Sequence, residues 1–328
     1  AGFNVVWANE YDKDIWETFE KNHPETVLDK RSIVNINEDE VPDCDGIIGG
    51  PPRQSWSEAG ALRGINDKRG QLFFDFIRIL KHKQPKFFLA ENVSGMLSSR
   101  HKDALKGILK MFDDAGFNVS HRLLNAKDYN VPQDRKRVIF IGLNKQKLKG
   151  QKFAFPLANN AEVVLEDAIW NLRDNALPAS EKNYSIGKDC LVPNHEYMTG
   201  TFSTIYMSRN RVRSWEEPSF TIQAGGRHAP IHPQAPKMKK IEKDKQIFLP
   251  GFEAHYRRLS VRECARVQTF PDDFIFHYKK VAAGYKMIGN AVPVNMAFEL
   301  AKFIKPYLTN SSESNAKISF EEQQYVNS

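Results

Sequence analysis

Four short polar segments carry the residues of this chain that could do chemistry. Gly-Gly-Pro-Pro-Arg-Gln-Ser-Trp occupies residues 49–56 and directly follows an apolar run, and Glu-Asn-Val at 91–93 ends the next run. Gln-Asp-Arg-Lys-Arg at 133–137 precedes a later apolar run, and Gly-Asn-Ala-Val-Pro stands at 289–293. Carboxyl and guanidinium groups can move protons or hold a charged ligand. Loops at the carboxyl ends of parallel strands form a ligand crevice, so these segments predict a site there.

Each segment, taken singly, also has an ordinary structural explanation. Pro51 and Pro52 could form a rigid turn, and Glu91 with Asn92 could cap a strand end. The string at 133–137 could be a solvated run of charges. The prediction of a site therefore depends on the order of the segments along the chain.

The elements that must position these segments alternate between strand and helix over the first 145 residues. Apolar runs predict strands at 3–8, 46–48, 87–90, 117–124 and 137–143, and helical spacing predicts helices at 11–21, 70–83 and 101–115. This alternation predicts an α/β fold with a mostly parallel, doubly wound, Rossmann-like sheet covered on both faces. Helices are also predicted at 260–267, where Ser260 and Glu263 form a capping box, and at 293–307.

The bulk composition sets wider limits. Lys and Arg number 47 against 40 Asp and Glu, which gives a net charge of +7 and a pI of about 9.1. This balance suits a polyanionic partner, although many basic proteins bind no nucleic acid. Three widely spaced cysteines fit neither a disulfide framework nor a zinc site, and no metal is expected. Without a long apolar run or a leader-like N-terminus, we expect a cytoplasmic protein with no membrane contact.

The four segments, in this order and at this spacing, resemble the motif series of the DNA cytosine-C5 methyltransferases. The resemblance runs from about residue 4 to residue 308. The segments at 208–213 and 232–236 look most like bacterial restriction–modification enzymes that methylate GGCC sites. A generic dinucleotide-binding oxidoreductase is disfavoured because the sequence has no G-x-G-x-x-G.

The resemblance implies a catalytic set. A cysteine should follow the Pro-Pro pair and attack cytosine C6, so that C5 becomes nucleophilic. Glu91 matches the acid that supports N3 of the ring, and Asn92 would orient the loop. Arg135, and more loosely Gln133 and Arg137, would hold a nucleotide that has left the base stack.

The resemblance also implies S-adenosyl-L-methionine as the cofactor. Glu10 matches the acid that bonds the ribose hydroxyls, and Tyr11 matches the aromatic that packs on adenine. The other positions that match cofactor contacts are Ser32, Ile33, Pro52, Leu72, Asn290 and Val292.

The expected macromolecular partner is double-stranded DNA. The irregular segment from about 160 to 258 is the candidate target-recognition region, and arginine there suits guanine O6 and N7 in the major groove. The predicted DNA-binding residues are Gln54, Ser55, Arg209, Arg211, Arg213, Thr221, Gln223 and Arg227. An RNA-directed relative is disfavoured by this long arginine-rich region.

Three departures from the family pattern predict impaired activity. Arg53 stands at the nucleophile position, and a guanidinium offers no lone pair to C6. The family's Phe-x-Gly-x-Gly strand and loop have no match in this sequence, so we expect that Arg53→Cys alone will not restore full turnover. Ser32 stands where an Asp is usual. A truncated product, a strand supplied by another polypeptide and an engineered change at position 53 all remain open.

The predicted organisation has four parts. Residues 1–150 form the catalytic domain, 151–258 the recognition region and 259–308 a return to the catalytic domain, while 309–328 form a polar, disordered tail. We expect a monomer, with a cognate restriction endonuclease as a possible partner in the same system. The rival interpretation is a catalytically dead DNA-binding protein, or one subunit of a split methyltransferase.

Overall fold

The computed structural model describes residues 1–51, 68–159 and 162–309. The strands are β1 Trp7–Asn9, β2 Val27–Asp29, β3 Gly46–Gly49, β4 Phe87–Val93, β5 Phe117–Asn125, β6 Gln133–Asp134, β7 Lys136–Asn144, β8 Leu177–Pro178, β9 Glu196–Tyr197, β10 Ser219–Phe220, β11 Lys239–Glu242 and β12 Lys245–Ile247. The helices are α1 Lys13–Asn22, α2 Lys68–Lys83, α3 Lys102–Asp114, α4 Leu165–Ile169, α5 Val261–Val267, α6 Val281–Asn290 and α7 Val294–Leu308. The element types predicted for the first 145 residues and for α5 and α7 are confirmed, whereas α6 escaped prediction.

The central sheet has the strand order β3-β4-β7-β5. β3 and β4 run parallel, with Gly49 beside Ala90, but β7 is antiparallel to both β4 and β5. The α/β class is therefore confirmed, while the expectation of a mostly parallel arrangement does not hold for this sheet. The reason is that β7 follows β5 after a short connection and returns between β5 and β4, so both of its pairings are antiparallel.

Helices cover both faces of the central sheet, as predicted. On one face Phe88 and Phe140 pack with Phe73 of α2 and Phe112 of α3. On the other face a second cluster joins Ile139 and Ile141 of β7 to α7. β7 is buried along most of its length because both of its faces are covered.

β1 and β2 form a separate parallel pair beside this sheet. Trp7 of β1 and Ile47 of β3 pack against one cluster that includes Ile79 of α2. Within the described residues β1 and β3 do not pair with each other. Helix α2 therefore packs against both the β1–β2 pair and the central sheet.

The C-terminal half packs around two further clusters. One cluster joins α4, α5 and α6, and Ile15 of α1 packs against it. The other lies within the recognition region, and its buried members are Tyr206, Val212, Ile231, Ala235, Met238 and Tyr256. The latter core is what gives this irregular segment a defined shape.

The predicted capping box at α5 is present, and it joins a buried ion pair. The Ser260 hydroxyl accepts from the Glu263 amide at 3.0 Å, and the Glu263 carboxylate accepts from the Ser260 amide at 2.7 Å. Arg257 donates to both oxygens of Glu263 at 2.7 Å. His232 Nε2 lies 3.4 Å from the same carboxylate, and Glu263 and His232 are fully buried. Protonation of this buried cluster should therefore change the free energy of unfolding.

We expect the free energy of unfolding to fall as the pH is lowered from 7 to 4. Burial lowers the pKa of His232 and of His195, so the unfolded chain takes up protons below about pH 6.5 that the folded chain does not. Burial opposes the charged form of Glu263, but Arg257 more than offsets it and lowers the pKa of the carboxyl, so its stabilisation is lost further below about pH 4.3.

Urea unfolding at pH 7, 5.5 and 4 measures this dependence. His232→Gln should flatten the step between pH 7 and 5.5, whereas the exposed His255→Gln should leave it unchanged. An unfolding free energy that stays constant from pH 7 to 4 would contradict the assignment.

Candidate active site

The end of β3 and the end of β4 lie side by side. A β-carbon placed on Gly50 would lie 3.7 Å from Glu91 Oε2, so the chain passes close to the Glu91 carboxyl. The Asn92 side chain is 3% exposed and donates to the Pro51 carbonyl at 3.4 Å. Asn92 thus holds the start of the loop that the sequence singled out. Pro52, Arg53, Gln54 and Ser55 lie outside the described residues.

Glu91 and Arg137 form an ion pair on neighbouring strands. Arg137 Nε lies 2.6 Å from Glu91 Oε1, and the two side chains are 14% and 17% exposed. Burial lowers the pKa of Arg137, and the charge of Glu91 opposes that shift. The guanidinium holds one carboxyl oxygen and leaves Oε2 on the side of Gly50, so a ligand that enters beside this loop meets a fixed acid.

Arg135 occupies a different place from the one the resemblance implied. Its side chain is 1% exposed, and its guanidinium donates to the carbonyls of Ile222 at 2.8 Å, Gly289 at 2.9 Å and Ala291 at 3.0 Å. The last two carbonyls belong to the C-terminal end of α6, where helical carbonyls lack intrahelical partners. In this structure Arg135 therefore caps a helix, and among the three residues of the motif Arg137 is the one that pairs with Glu91.

Gln133 is also buried and structural. It donates from Nε2 to Gln268 Oε1 at 2.7 Å and accepts from the Ile222 amide at 2.9 Å. Gln268 in turn donates to the Ile288 carbonyl at 2.7 Å. Sequence reasoning missed Gln268, because nothing in its local spacing shows that it meets a residue 135 positions away.

Thr221 and Gln223 begin a loop that these contacts attach to the catalytic sheet. Thr221 donates to the Asp134 carbonyl at 2.7 Å, and a β-carbon on Gly289 would lie 2.2 Å from the Gln223 carbonyl carbon. Only glycine fits position 289, because the loop backbone crosses directly over it. A β-carbon on Gly226 would lie 2.6 Å from Tyr285, so this glycine allows close packing against α6.

The predicted cofactor residues lie on several elements. Glu10 follows β1 and accepts from the Asp12 amide at 2.7 Å, while the Tyr11 side chain is 73% exposed. Ser32 directly precedes the 3-10 turn Ile33–Asn35, and its side chain makes no capping hydrogen bond there. Leu72 lies in the first half of α2 and is half-buried. Asn290 ends α6 and is exposed, and Val292 precedes α7 and is half-buried.

These side chains fit the chemistry of S-adenosyl-L-methionine. A carboxylate whose orientation is held by a backbone amide can accept from ribose hydroxyls, and an exposed aromatic face can stack on adenine. Glu10 and Tyr11 supply these two groups from adjacent positions at the end of β1.

The predicted arginines of the recognition region divide into two sets. Arg211 donates to the Tyr206 carbonyl at 2.8 Å, and Arg213 pairs with Glu217 at 2.8 Å. Arg209 and Arg227 are exposed and, within the described residues, make no hydrogen bond or ion pair. The second pair therefore has side chains available for a ligand, and the exposed Gln223 lies near Arg227 along the same loop.

The described part of the chain holds no group of three or more His, Cys, Asp or Glu that could bind a metal ion. It also contains no helix that is long and apolar enough to cross a membrane. Cys44 precedes β3, at the opposite end of that strand from Pro51, and burial raises the pKa of its thiol. Cys44 is therefore far from the loop and poorly ionised.

Curated relatives match nearly the whole chain. The chain is 56% identical over 319 residues to the type II methyltransferase M.FnuDI of Fusobacterium nucleatum, covering 97% of this chain and 92% of that protein. It is 57% identical over 305 residues to M.MthTI of Methanothermobacter thermautotrophicus, covering 93% and 91%. M.NgoPII of Neisseria gonorrhoeae is 56% identical over 313 residues, covering 94% and 91%.

Solved structures show the same fold. The chain superposes on a candidate DNA modification methyltransferase encoded within an Escherichia coli prophage with a TM-score of 0.67, at 22% identity and with 94% of each chain covered. The S. pombe Dnmt2 methyltransferase gives a TM-score of 0.60 at 17% identity, covering 92% of this chain and 91% of that one. The family model described as C-5 cytosine-specific DNA methylase matches residues 1–306. The chain therefore belongs to the C-5 cytosine-specific DNA methylases, an S-adenosyl-L-methionine-dependent family.

Proposed function

We propose that this chain is built to methylate cytosine C5 within a GGCC-type site of double-stranded DNA, as the modification enzyme of a type II restriction–modification system. The observation that supports this proposal most directly is the Glu91–Arg137 pair beside the loop that begins at Pro51. The restriction–modification setting is supported by relatives at 56–57% identity that are type II methyltransferases. The GGCC preference is supported by the resemblance of the segments at 208–213 and 232–236.

With a cysteine in place of Arg53, the residues of the chain would act as follows. The target cytosine must leave the stack to enter the cleft, where Glu91 Oε2 faces N3 and Arg137 fixes the carboxyl. A thiolate at position 53 would add to C6, and the electrons of the C5–C6 bond would move toward N3, which Glu91 stabilises by a proton or hydrogen bond. S-adenosyl-L-methionine supplies the methyl group that C5 takes. A water molecule would then take the C5 proton as base, and the electrons of that C–H bond would re-form the C5–C6 double bond while the C6–S bond breaks and the thiolate leaves.

We propose that Arg53 blocks this sequence at its first step. A guanidinium is protonated at any working pH and has no lone pair for C6. Ser55 and Ser57 are neutral hydroxyls, and such groups are poor nucleophiles without a paired base. The chain as printed would bind its site and leave the cytosine unmethylated.

Further assignments belong to the same proposal. The protein acts as a monomer in the cytoplasm, where prokaryotic DNA lies, and its system includes a cognate restriction endonuclease. The cofactor contacts come from Glu10, Tyr11, Ser32, Ile33, Leu72, Asn290 and Val292, with Pro52 from the loop. Sequence readout comes chiefly from Arg209, Gln223 and Arg227, because Arg211 and Arg213 are engaged within the protein.

Methyl transfer by the Arg53→Cys variant tests the reaction and the site together. We expect tritiated methyl groups to enter a GGCC duplex at least about 30-fold faster than a GCGC duplex, since each of the two changed base pairs costs about 1–3 kcal/mol. Hydrolysis of the labelled DNA should return the label as 5-methylcytosine. Equal labelling of both duplexes would overturn the GGCC assignment. Tight binding of GGCC by a variant that labels nothing would favour a DNA-binding protein or a subunit.

A further inference from the structure

A cationic hairpin stands on the recognition region, next to the arginines that the proposed function uses. It consists of β11 Lys239–Glu242, β12 Lys245–Ile247 and the turn between them, and is called the basic hairpin below. Every residue of β11 is exposed. Five lysines occur between positions 237 and 245, against one Glu and one Asp. The hairpin thus carries a local excess of positive charge well above that of the chain as a whole.

Two of these lysines are already paired. Lys237 lies 3.4 Å from Glu217, and Lys245 lies 2.7 Å from Glu242. Within the described residues, the side chains of Lys239, Lys240 and Lys243 make no hydrogen bond or ion pair. These three ammonium groups are therefore free to meet an anionic partner.

The basic hairpin is anchored to the rest of the recognition region at both of its ends. Before β11, the Met238 amide donates to Asn210 Oδ1 at 3.0 Å, and Asn210 lies directly between Arg209 and Arg211. After β12, Phe248 stacks on Tyr256 with 4.1 Å between ring centroids, and the Leu249 amide donates to the Tyr256 hydroxyl at 3.0 Å. An isolated two-stranded hairpin is marginally stable in water, so these anchors are what hold its lysines in place.

We propose that Lys239, Lys240 and Lys243 of the basic hairpin bind backbone phosphates of the DNA that the recognition region reads. This inference rests on the proposed function for the identity of the partner. The anchor through Asn210 places the hairpin beside Arg209, so one duplex can meet both. Phosphate contacts fix orientation and carry no sequence information, whereas base contacts specify the site. The hairpin therefore contributes affinity, and Arg209 and Arg227 contribute discrimination.

The competing explanation for these lysines is protection of an exposed sheet edge. Lysines on an unpaired strand discourage edge-to-edge association with another chain. That role predicts aggregation after their removal and no change in how DNA binding depends on salt. The two explanations are therefore separable by experiment.

The test is the affinity of the full chain for GGCC and GCGC duplexes of equal length, measured between 50 and 400 mM salt. The triple variant Lys239→Gln, Lys240→Gln, Lys243→Gln is compared with the control triple Lys81→Gln, Lys106→Gln, Lys110→Gln, whose exposed lysines lie on α2 and α3, outside the recognition region. Each lost phosphate contact should lower the slope of log affinity against log salt by about 0.9, so the hairpin variant should lose about 2.7 and the control none. The ratio of GGCC affinity to GCGC affinity should be the same in the hairpin variant as in the unmodified chain.

Three other outcomes would overturn the inference. A hairpin variant with the slope of the unmodified chain makes no phosphate contact through these lysines. Increased light scattering without a change in slope would assign them to edge protection. A changed GGCC-to-GCGC ratio would make them base readers. The unmodified chain failing to bind either duplex would instead overturn the proposed function, since the hairpin comparison presupposes that binding.

Discussion

Arg53→Cys is expected to release tritium from C5 of cytosine in a GGCC duplex, whereas the chain as printed should release none above background. Addition of a thiolate at C6 makes C5 exchange its hydrogen with water, and this exchange needs no methyl donor. Removing a catalytic nucleophile costs about 10⁶-fold in a well-studied hydrolase, so we expect a difference on the order of 10⁴-fold or more. The measurement isolates the nucleophile from the cofactor site.

Arg53→Ala is the matched control for this experiment. It removes the guanidinium from the loop without adding a thiol, so it should release no tritium if attack on C6 is the missing step. Release by Arg53→Ala, or by the chain as printed, would show that another group attacks the base. Methyl transfer measured on Arg53→Cys in parallel then reports the cofactor site. Tritium release with slow methyl transfer would place the remaining defect at that site.

Glu91→Gln, introduced into the Arg53→Cys chain, is expected to lower kcat by about 10²- to 10⁴-fold, the usual contribution of a positioned acid. The amide has the shape of the carboxyl and can still accept from Arg137, so the pair keeps its geometry. The amide of the variant cannot transfer a proton to N3 as the ring accepts electrons. The KM for DNA should change far less than kcat, because the substitution acts on the transition state.

Glu40→Gln provides the matched control, since Glu40 is an exposed acid that pairs with Arg31 at 2.9 Å, on a turn before β3. Thermal unfolding of both variants should lie close to that of the parent. If Glu91→Gln kept kcat within about threefold of its parent, Glu91 would not act as the acid. Equal losses in both variants would point to a general effect of removing a negative charge.

Much of the site can be predicted from spacing and period alone. Glu91 and Asn92 end an apolar run, and Gly49, Gly50 and Pro51 end another, so a parallel pair of strands brings them together. The capping box of α5 is equally local, because Ser260 and Glu263 are three residues apart and each satisfies the other's backbone amide. Features of this kind depend on short stretches of chain and on the period of burial.

Helix α6 and the direction of β7 could not be predicted from such local patterns. The apolar residues of α6 are buried on more than one side, so they show no clean amphipathic stripe. β7 reads as a buried strand whichever way it runs, and only its insertion between β4 and β5 makes the sheet mixed. Strand order is a property of the packed chain rather than of a single strand.

The sequence by itself therefore determined the family, the order of the motifs, the place of the Glu91 carboxyl at the end of a strand and the absence of a thiol at position 53. Tertiary structure alone decided that Arg137 pairs with Glu91 while Arg135 caps α6. It also decided which recognition arginines stay available. The physical reason is range: Arg135 meets carbonyls 87 to 156 positions away, and no local pattern records which buried carbonyls will need a donor.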